Sequence, residues 1–195
     1  MPTLAAIALA AAGCVPTTLN PLYTPQDLVT EPALVGSWSP EAGATWTFTK
    51  ADDKSYQLTI TDKEGKTGHF EAHLLKLDGV LFVDLYPDEA AVEELAGGMY
   101  EPLLCRTHMF LKVAQLKPEL HLINLDLEWL RAWLAKHPND LPHHLMQDGL
   151  VLLTAPTPEL QAFVRKHLKT EGAWNRDPIK FERKAPKDQA PAGQK

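Results

Sequence analysis

The feature that most constrains this chain is a hydrophobic pattern of period two in its first half. Between residues 44 and 50, Trp46 and Phe48 alternate with threonine, and residues 54–61 alternate polar and apolar side chains in the same way. Successive side chains of a β-strand point to opposite faces, so this alternation predicts strands with one buried and one polar face. The folded part of the chain is therefore expected to begin with an antiparallel sheet.

Turn residues divide this region into consecutive strands. The segment 62–65, Asp-Lys-Glu-Gly, predicts one turn. The pair Asp78-Gly79 predicts a tighter turn of type I′, which needs positive φ at both central positions. Residues 80–86 are apolar on both faces and are expected to form a central strand, and another hairpin is predicted within 107–125.

Two helices are predicted after these strands, at about 127–137 and 158–169, followed by a short strand at 179–183. Roughly eight short strands with two late helices predict a mainly β fold, an antiparallel meander that is curled or closed into a barrel, with the helices covering a face or a mouth. A two-layer α+β sheet is the competing architecture. The domain is expected to span residues 34–184, and the composition of residues 185–195 predicts a disordered tail.

The N-terminal segment is typical of an export signal. Residues 4–12 form an uninterrupted run of small or apolar side chains. As a helix, the first twelve residues would span about 18 Å, short of the ~30 Å hydrocarbon core of a bilayer. Residues 1–13 are therefore predicted to be a signal peptide, and because no Lys or Arg precedes the apolar run, its true start is expected upstream. The alternative is an apolar helix packed on the domain.

Ala11-Ala12-Gly13-Cys14 resembles the lipobox of bacterial lipoproteins, with Ala11 where Leu is usual. The resemblance implies that Cys14 is acylated and becomes the new N-terminus, so that acyl chains anchor the protein in a membrane. Val15, rather than Asp, after the cysteine implies the outer membrane. The expected location is the bacterial cell envelope, as an outer-membrane lipoprotein that faces the periplasm or the cell surface.

Residues 14–33 have the composition of a linker, with four prolines among Thr, Asn and Gln. Residues 15–32 of this segment, fully extended, reach at most about 60 Å at ~3.3 Å per residue, which predicts a tether between the bilayer and the domain. The second cysteine, Cys105, lies close to apolar residues on both sides and is predicted to be buried and inert.

Gly36-Ser37-Trp38 opens the first strand of the meander, and Arg183 lies in the last one. This combination resembles the pattern of lipocalins and the wider calycin group, in which a G-x-W tryptophan closes the barrel floor and an arginine from a late strand packs across it. The resemblance implies that Trp38 and Arg183 form such a pair, with a cation over an indole ring. It covers about half of the chain, and the two predicted helices depart from it, since lipocalins have one late helix.

Charge and motifs disfavour several classes of function. The net charge is −6 and no basic stripe is interleaved with aromatic residues, so nucleic acid is not expected as a partner. The sequence has no P-loop, dinucleotide fingerprint or G-x-S-x-G nucleophile motif. No cofactor is predicted, and a non-enzymatic protein is expected rather than an enzyme.

Two short strings carry titratable residues. On a strand, His69, Glu71 and His73 would share one face at steps of about 6.6 Å, which could offer ligands to Zn²⁺. The alternative, a polar face turned to solvent, is preferred, so no metal site is predicted. The acidic string 84–89 could be interpreted as an acid/base pair for glycoside chemistry, but a strand end that passes into an acidic loop is the preferred interpretation.

Aromatic residues on the period-two faces are expected to line the inside of the barrel, either as ordinary core or as the wall of an apolar cavity. These candidates are Trp46, Phe48, Tyr56, Phe70, Phe82, Tyr86 and Phe110.

The leading functional hypothesis is a membrane-tethered, non-enzymatic binding protein that holds a small apolar or amphipathic ligand within or at the mouth of the barrel. The alternative is an envelope assembly or interaction lipoprotein with a solid barrel, which docks a protein partner through Trp129 and Trp133 of the first helix. A hydrolase-type enzyme is the third hypothesis, and it requires polar groups that converge in a pocket.

Overall fold

A computed structural model describes residues 15–40, 43–89, 92, 105–146 and 149–184. The predicted signal peptide at 1–13, the acylation candidate Cys14 and the predicted tail at 185–195 lie outside these residues. The strands within them are, in chain order, Thr17–Thr18 (β1), Gly36–Pro40 (β2), Thr45–Lys50 (β3), Tyr56–Thr61 (β4), Thr67–Leu77 (β5), Val80–Pro87 (β6), Met109–Gln115 (β7), Leu120–Ile123 (β8), His143–Leu145 (β9), Val151–Leu153 (β10) and Ile179–Arg183 (β11).

Eight of these strands form a closed antiparallel barrel in the order β11-β2-β3-β4-β5-β6-β7-β8, with β11 also paired to β8. The alternating segments predicted as strands are β3 and β4, and the segment 80–86 is a central strand between β5 and β7. Asp78 and Gly79 have φ values of 47° and 84°, as a type I′ turn requires. The mainly β barrel predicted from the sequence is confirmed.

Two helices follow the meander, Leu127–Lys136 (α1) and Thr157–His167 (α2), within two residues of their predicted ends. Asp126 caps α1 by accepting a 2.7 Å hydrogen bond from the Trp129 N–H. The buried sides of both helices, with Leu130 and Leu160, pack on the outside of the barrel over β5 to β8. The helices therefore cover a wall of the barrel.

The protein has two hydrophobic cores, one on each side of this wall. The barrel core contains inward side chains from all eight barrel strands, among them Trp38, Phe48 and Leu74. The outer core lies between the wall and the helices and contains Leu75 and Phe82. Alternation along β5 and β6 sends neighbouring residues to opposite cores, which explains why these strands are apolar on both faces.

A small sheet outside the barrel has the order β1-β10-β9. The segment 150–154, a strand candidate in the sequence, supplies β10, which pairs in parallel with β1 and antiparallel with β9. Its pairing with β1 brings the beginning of the described chain against residues more than 130 positions away.

The expected tether is wrong for the described residues of that segment. Residues 15–31, here called the strap, run across the outer wall, and Leu22 is completely buried in the outer core. Main-chain hydrogen bonds join Val29 to Leu74 at 2.9 Å and Lys76 to Asp27 at 3.0 Å. Proline and polar residues alone would leave such a segment extended in solvent, but the leucines of the strap bury apolar surface and hold it on the wall.

Cys105 is exposed, which corrects the expectation that it is buried. The apolar run that suggested burial begins at Met109, where β7 starts, whereas residues 105–107 precede the strand. No buried strand therefore carries this thiol into either core.

Candidate functional site

Titratable side chains converge on the outer wall of the barrel, beneath the strap. Five of them, here called the wall cluster, come from the strap, β5, β6 and the residue before β7: Tyr23, His73, Asp84, Tyr86 and His108.

Asp84 is the centre of the wall cluster and is 1% exposed. Its parity along β6 turns it outward, away from the barrel core that Val83 and Leu85 enter. Oδ2 accepts a 2.8 Å hydrogen bond from the Leu22 N–H, and Oδ1 lies 2.7 Å from Nδ1 of His108. Both carboxylate oxygens are thus satisfied, as a buried charge requires.

His108, the partner of Asp84, is also hydrogen-bonded to the strap through its main chain. Its N–H donates to the Thr18 carbonyl at 2.8 Å, and its carbonyl accepts from the Thr18 N–H at 2.9 Å. The imidazole stacks on Tyr86 with 4.3 Å between centroids and remains 10% exposed. The guanidinium of Arg106 lies 4.9 Å from the centre of the Tyr86 ring. The ring of His108 is therefore fixed on two sides, by a carboxylate and by an aromatic face.

His73 lies opposite Asp84 in the β5–β6 register and stacks on Tyr23 at 4.4 Å. Burial lowers the pKa of His73 below 6.5, although the nearby charges of Asp84 and Glu71 act in the opposite direction. Its Nδ1 is buried and has no hydrogen-bond partner among the described residues. The site therefore favours a neutral imidazole at this position.

The Tyr23 hydroxyl is held in its neutral form. Burial, followed by the negative charges of Asp84 and Glu71, raises the pKa of Tyr23 to about 12 from 10.0. A phenol with so high a pKa is not a ready proton donor near neutral pH.

Helix α2 holds the strap from the other side. Nε2 of Gln161 donates to the Leu22 carbonyl at 2.9 Å and to Oδ2 of Asp27 at 2.7 Å, and Thr157 donates to the Pro21 carbonyl at 2.8 Å. Partial burial would raise the pKa of Asp27, but hydrogen bonds from Thr24 and Gln161 outweigh it and lower that pKa. The strap is clamped between the barrel wall and α2.

An imidazole oriented by a buried carboxylate is the arrangement of a general base. Such a base needs a nucleophile or substrate within hydrogen-bond reach. The hydroxyl of Thr18, the residue paired with His108, donates instead to the Asn20 carbonyl at 2.6 Å. Among the described residues, the polar contacts of Asp84 go to the strap and to His108. The wall cluster therefore binds the strap to the outside of the barrel.

The predicted barrel-floor residues meet in the structure. The Arg183 guanidinium lies 4.2 Å from the centre of the buried Trp38 ring and donates to the carbonyls of Ala33 and Val35. Gly36 between these elements has φ 133°, and a Cβ there would lie 2.6 Å from Nη1 of Arg183. Glycine is needed at this position because both the backbone and the guanidinium exclude a side chain.

The aromatic residues predicted to line a cavity lie on both sides of the barrel wall. The ones that contribute to the barrel core are Trp46, Phe48, Tyr56 and Phe70. Phe82 and Phe110 belong to the outer core, and Tyr86 lies on the same outward face of β6 as Phe82, so the expectation that these three line the interior is wrong. A strand buried on both sides gives no period-two signal that tells inside from outside.

Inside the barrel, aromatic rings pack against one another. The centroid of Trp46 lies 5.1 Å from that of Phe181 and 6.4 Å from that of Phe48. These distances are typical of ring contacts in a packed core. An eight-stranded barrel is just wide enough for its side chains to fill. The ring contacts therefore favour a packed interior around Trp46.

The residues weighed as zinc ligands lie on the outward face of β5. His69 is exposed, with Nδ1 3.3 Å from the Thr59 hydroxyl, whereas His73 is covered by Tyr23. In the described part of the chain, no three His, Cys, Asp or Glu side chains are grouped to hold a metal ion.

Trp129 and Trp133, the docking candidates, stack on each other along α1 with 5.5 Å between centroids. The ring of His167 from α2 lies 4.9 Å from Trp129 and 4.5 Å from Trp133, and Lys166 lies 5.1 Å from the Trp133 ring centre. Both indoles pack against the outer core and leave part of their surface exposed, with Lys166 beside it.

Sequence reasoning considered His73, Tyr86 and the acidic string 84–89 for separate roles and did not bring them together as the wall cluster. One signal for the cluster was present. Asp84 is a charged residue in an otherwise apolar segment, and a buried carboxylate requires partners. The sequence does not indicate that His108 and the strap are those partners, because both are distant from Asp84 in the chain. The residues of the strap were also predicted to form a tether.

None of the helices within the described residues is long and apolar enough to cross a lipid bilayer. Comparisons with protein-family models, with curated proteins and with solved structures gave no match to this chain.

Proposed function

We propose that this protein is a non-enzymatic binding protein of the bacterial envelope, acylated at Cys14 and held directly at the surface of the outer membrane. The apolar run of residues 4–12 that ends at Gly13-Cys14 supports export and acylation. The strap carries the rest of the proposal. Val15, the residue after the cysteine, is partly buried and Pro16 is buried, so acyl chains on Cys14 would leave little free linker between membrane and barrel.

The bonding of the wall cluster supports binding rather than catalysis. The carboxylate that orients His108 also binds the strap, and His73 is stacked beneath Tyr23. These groups hold the protein's own chain, which supports a structural role for the wall cluster.

The packing of the interior supports a protein partner that binds the outside of the barrel. Trp46 fills space between Phe48 and Phe181, and Arg183 covers Trp38. The stacked indoles of Trp129 and Trp133 offer the kind of anchor that dominates protein interfaces.

A small apolar ligand inside the barrel is the second candidate, and the apolar composition of the barrel core favours it. Native mass spectrometry of the protein after incubation with an extract of bacterial lipids separates the two. A retained molecule of defined mass would support the second candidate and count against the first.

The first candidate is tested by replacing Trp133 with a photo-crosslinking amino acid in the native host, with exposed Glu182 of β11 replaced as the matched control. The expected result is one crosslinked species from position 133 in the envelope fraction and none from position 182. Equal crosslinking from both positions, or an unmodified cysteine at position 14 in the mature protein, would contradict the proposal.

A further inference from the structure

The small sheet brings the start of the strap and the β9–β10 turn to the same end. Thr17 pairs with Leu152, and Leu152 pairs with His144, so these three residues form one row across the sheet. β1 and β10 are parallel and β9 is antiparallel to them. Moving from Thr17 back toward Cys14 therefore follows the same direction as moving from His144 to Met146.

Two large apolar side chains are exposed at this end of the sheet. Leu145 is 56% exposed and Met146 is 44% exposed. The turn that carries them is held by hydrogen bonds of 2.9 Å from Met146 N–H to the Leu150 carbonyl and from Gly149 N–H to the Met146 carbonyl. The two side chains, here called the hairpin tip, thus lie at the end of β9, where these hydrogen bonds join residue 146 to residues 149 and 150.

The hairpin tip lies close to the point where acyl chains would leave the protein. Neighbouring strands are about 4.8 Å apart, so β9 is about 10 Å from β1 across the sheet. Val15 is partly buried and Pro16 is buried, and Cys14 is only one residue further along the chain. An anchor at Cys14 therefore cannot move far from the hairpin tip.

Charges of both signs lie near the tip, since Arg131 is beside Glu128 and the sequence places Asp148 between Met146 and Gly149. The Arg131 guanidinium packs against Gly149, where a Cβ would be 1.7 Å from Nη2, and it also pairs with Glu128 at 2.9 Å. His144 next to Leu145 is exposed. A guanidinium beside an apolar protrusion can contact phosphate while the protrusion enters the acyl region.

We propose that Leu145 and Met146 insert into the lipid bilayer beside the acyl chains of Cys14, so that the tilt of the barrel on the membrane is restricted. This inference rests on the acylation in the proposed function. An acyl anchor fixes where the protein is but leaves it free to tilt. A second apolar contact about 10 Å away restricts that tilt.

The test uses the full acylated protein with Cys105→Ser and Met146→Cys, labelled at residue 146 with an environment-sensitive fluorophore. Acylation consumes the thiol of Cys14, so one label is expected for each chain. On vesicles of phosphatidylcholine and phosphatidylglycerol, the emission should shift to shorter wavelength and lose its accessibility to iodide. Leu145→Ser in the same chain should reduce the shift without unfolding the protein, because Leu145 is more than half exposed.

The matched control carries the label at Asp53→Cys, a fully exposed position in the β3–β4 turn. This turn is at the opposite end of the barrel from His108, the residue that is hydrogen-bonded to Thr18 of the small sheet. Its emission should remain that of a fluorophore in water. A water-like signal at position 146 on protein that sediments with the vesicles would overturn this inference alone. Two labels per chain would show a free thiol at Cys14 and overturn the proposed function together with this inference.

Discussion

The carboxylate of Asp84 accepts the main-chain N–H of Leu22 at 2.8 Å and lies 2.7 Å from the imidazole of His108. One buried side chain thus joins the beginning of the described chain to two neighbouring barrel strands. The strap is held by a specific polar bond as well as by apolar contact.

Replacing Asp84 should therefore destabilise the protein strongly. Asp84→Ala leaves a buried N–H and an imidazole without their acceptor, and breaking a buried pair in this way costs about 3–5 kcal/mol of unfolding free energy. Urea denaturation followed by circular dichroism measures the loss. The control is Asp53→Ala, because Asp53 is fully exposed and should change stability little. Equal effects of the two substitutions would show that the Asp84 bonds contribute no stability.

Stability should fall in mild acid because of His73. Its folded pKa lies below 6.5, so the unfolded chain takes up the proton first as the pH drops. The stability that depends on a neutral His73 is complete above about pH 6.5 and is lost as the pH falls through the pKa of His73 in the folded protein. His73→Phe keeps a ring against Tyr23 and removes the titrating group, so its urea midpoint should decline less between about pH 7 and pH 5. Parallel declines in the two proteins would rule out this role.

The strap should be part of the cooperative fold. Leu22→Ala removes a completely buried side chain from the outer core and should cost about 2–5 kcal/mol. Leu19→Ala in the same segment is the matched control, since Leu19 is exposed and should change stability by less than about 0.5 kcal/mol. A strap that acted as a loose tether would give two small effects in thermal unfolding.

Gly36 should resist substitution more than Gly65, although both glycines have positive φ. In Gly36→Ala the new Cβ would displace the Arg183 guanidinium from Trp38, and φ 133° would add strain of about 1–3 kcal/mol. Gly65→Ala is the control, because Gly65 has φ 84° and open space around it. Melting temperatures compare the two variants, and a larger drop for Gly65→Ala would contradict the contact between glycine and guanidinium.

Cys105 should react in the folded protein. Because the thiol is exposed, a maleimide should label it in native buffer at nearly the rate found in denaturant. Mass spectrometry locates the label, and Cys105→Ser provides the blank. Protection that disappears only on unfolding would show that the thiol is covered.

The barrel was predictable because its strands carry local signals. Alternation around Trp46 and the positive-φ pair Asp78-Gly79 determine strands and turns without reference to distant parts of the chain. The sequence specified less well that the sheet closes into a barrel, because closure pairs β11 with β2 and β8, and β2 lies far from β11 in the sequence.

The wall cluster and the strap could not be predicted in the same way. The strap packs into the outer core beside Phe82 and Phe110. These two residues lie on strands that are buried on both faces, so no sequence pattern indicated which core they enter. The strap has a composition typical of a linker, and its position depends on partners such as Asp84 and Gln161 that lie far away in the chain. Long-range polar contacts leave no periodic signal.

Closure through β11 also determines when the protein can be finished. Until residues 179–183 have been synthesised, β2 and β8 each lack the strand that covers one of their edges in the closed barrel. A ribosome must therefore translate nearly all of the domain before the ring of hydrogen bonds can form. Any sheet that forms before then has two edges free to pair with other chains.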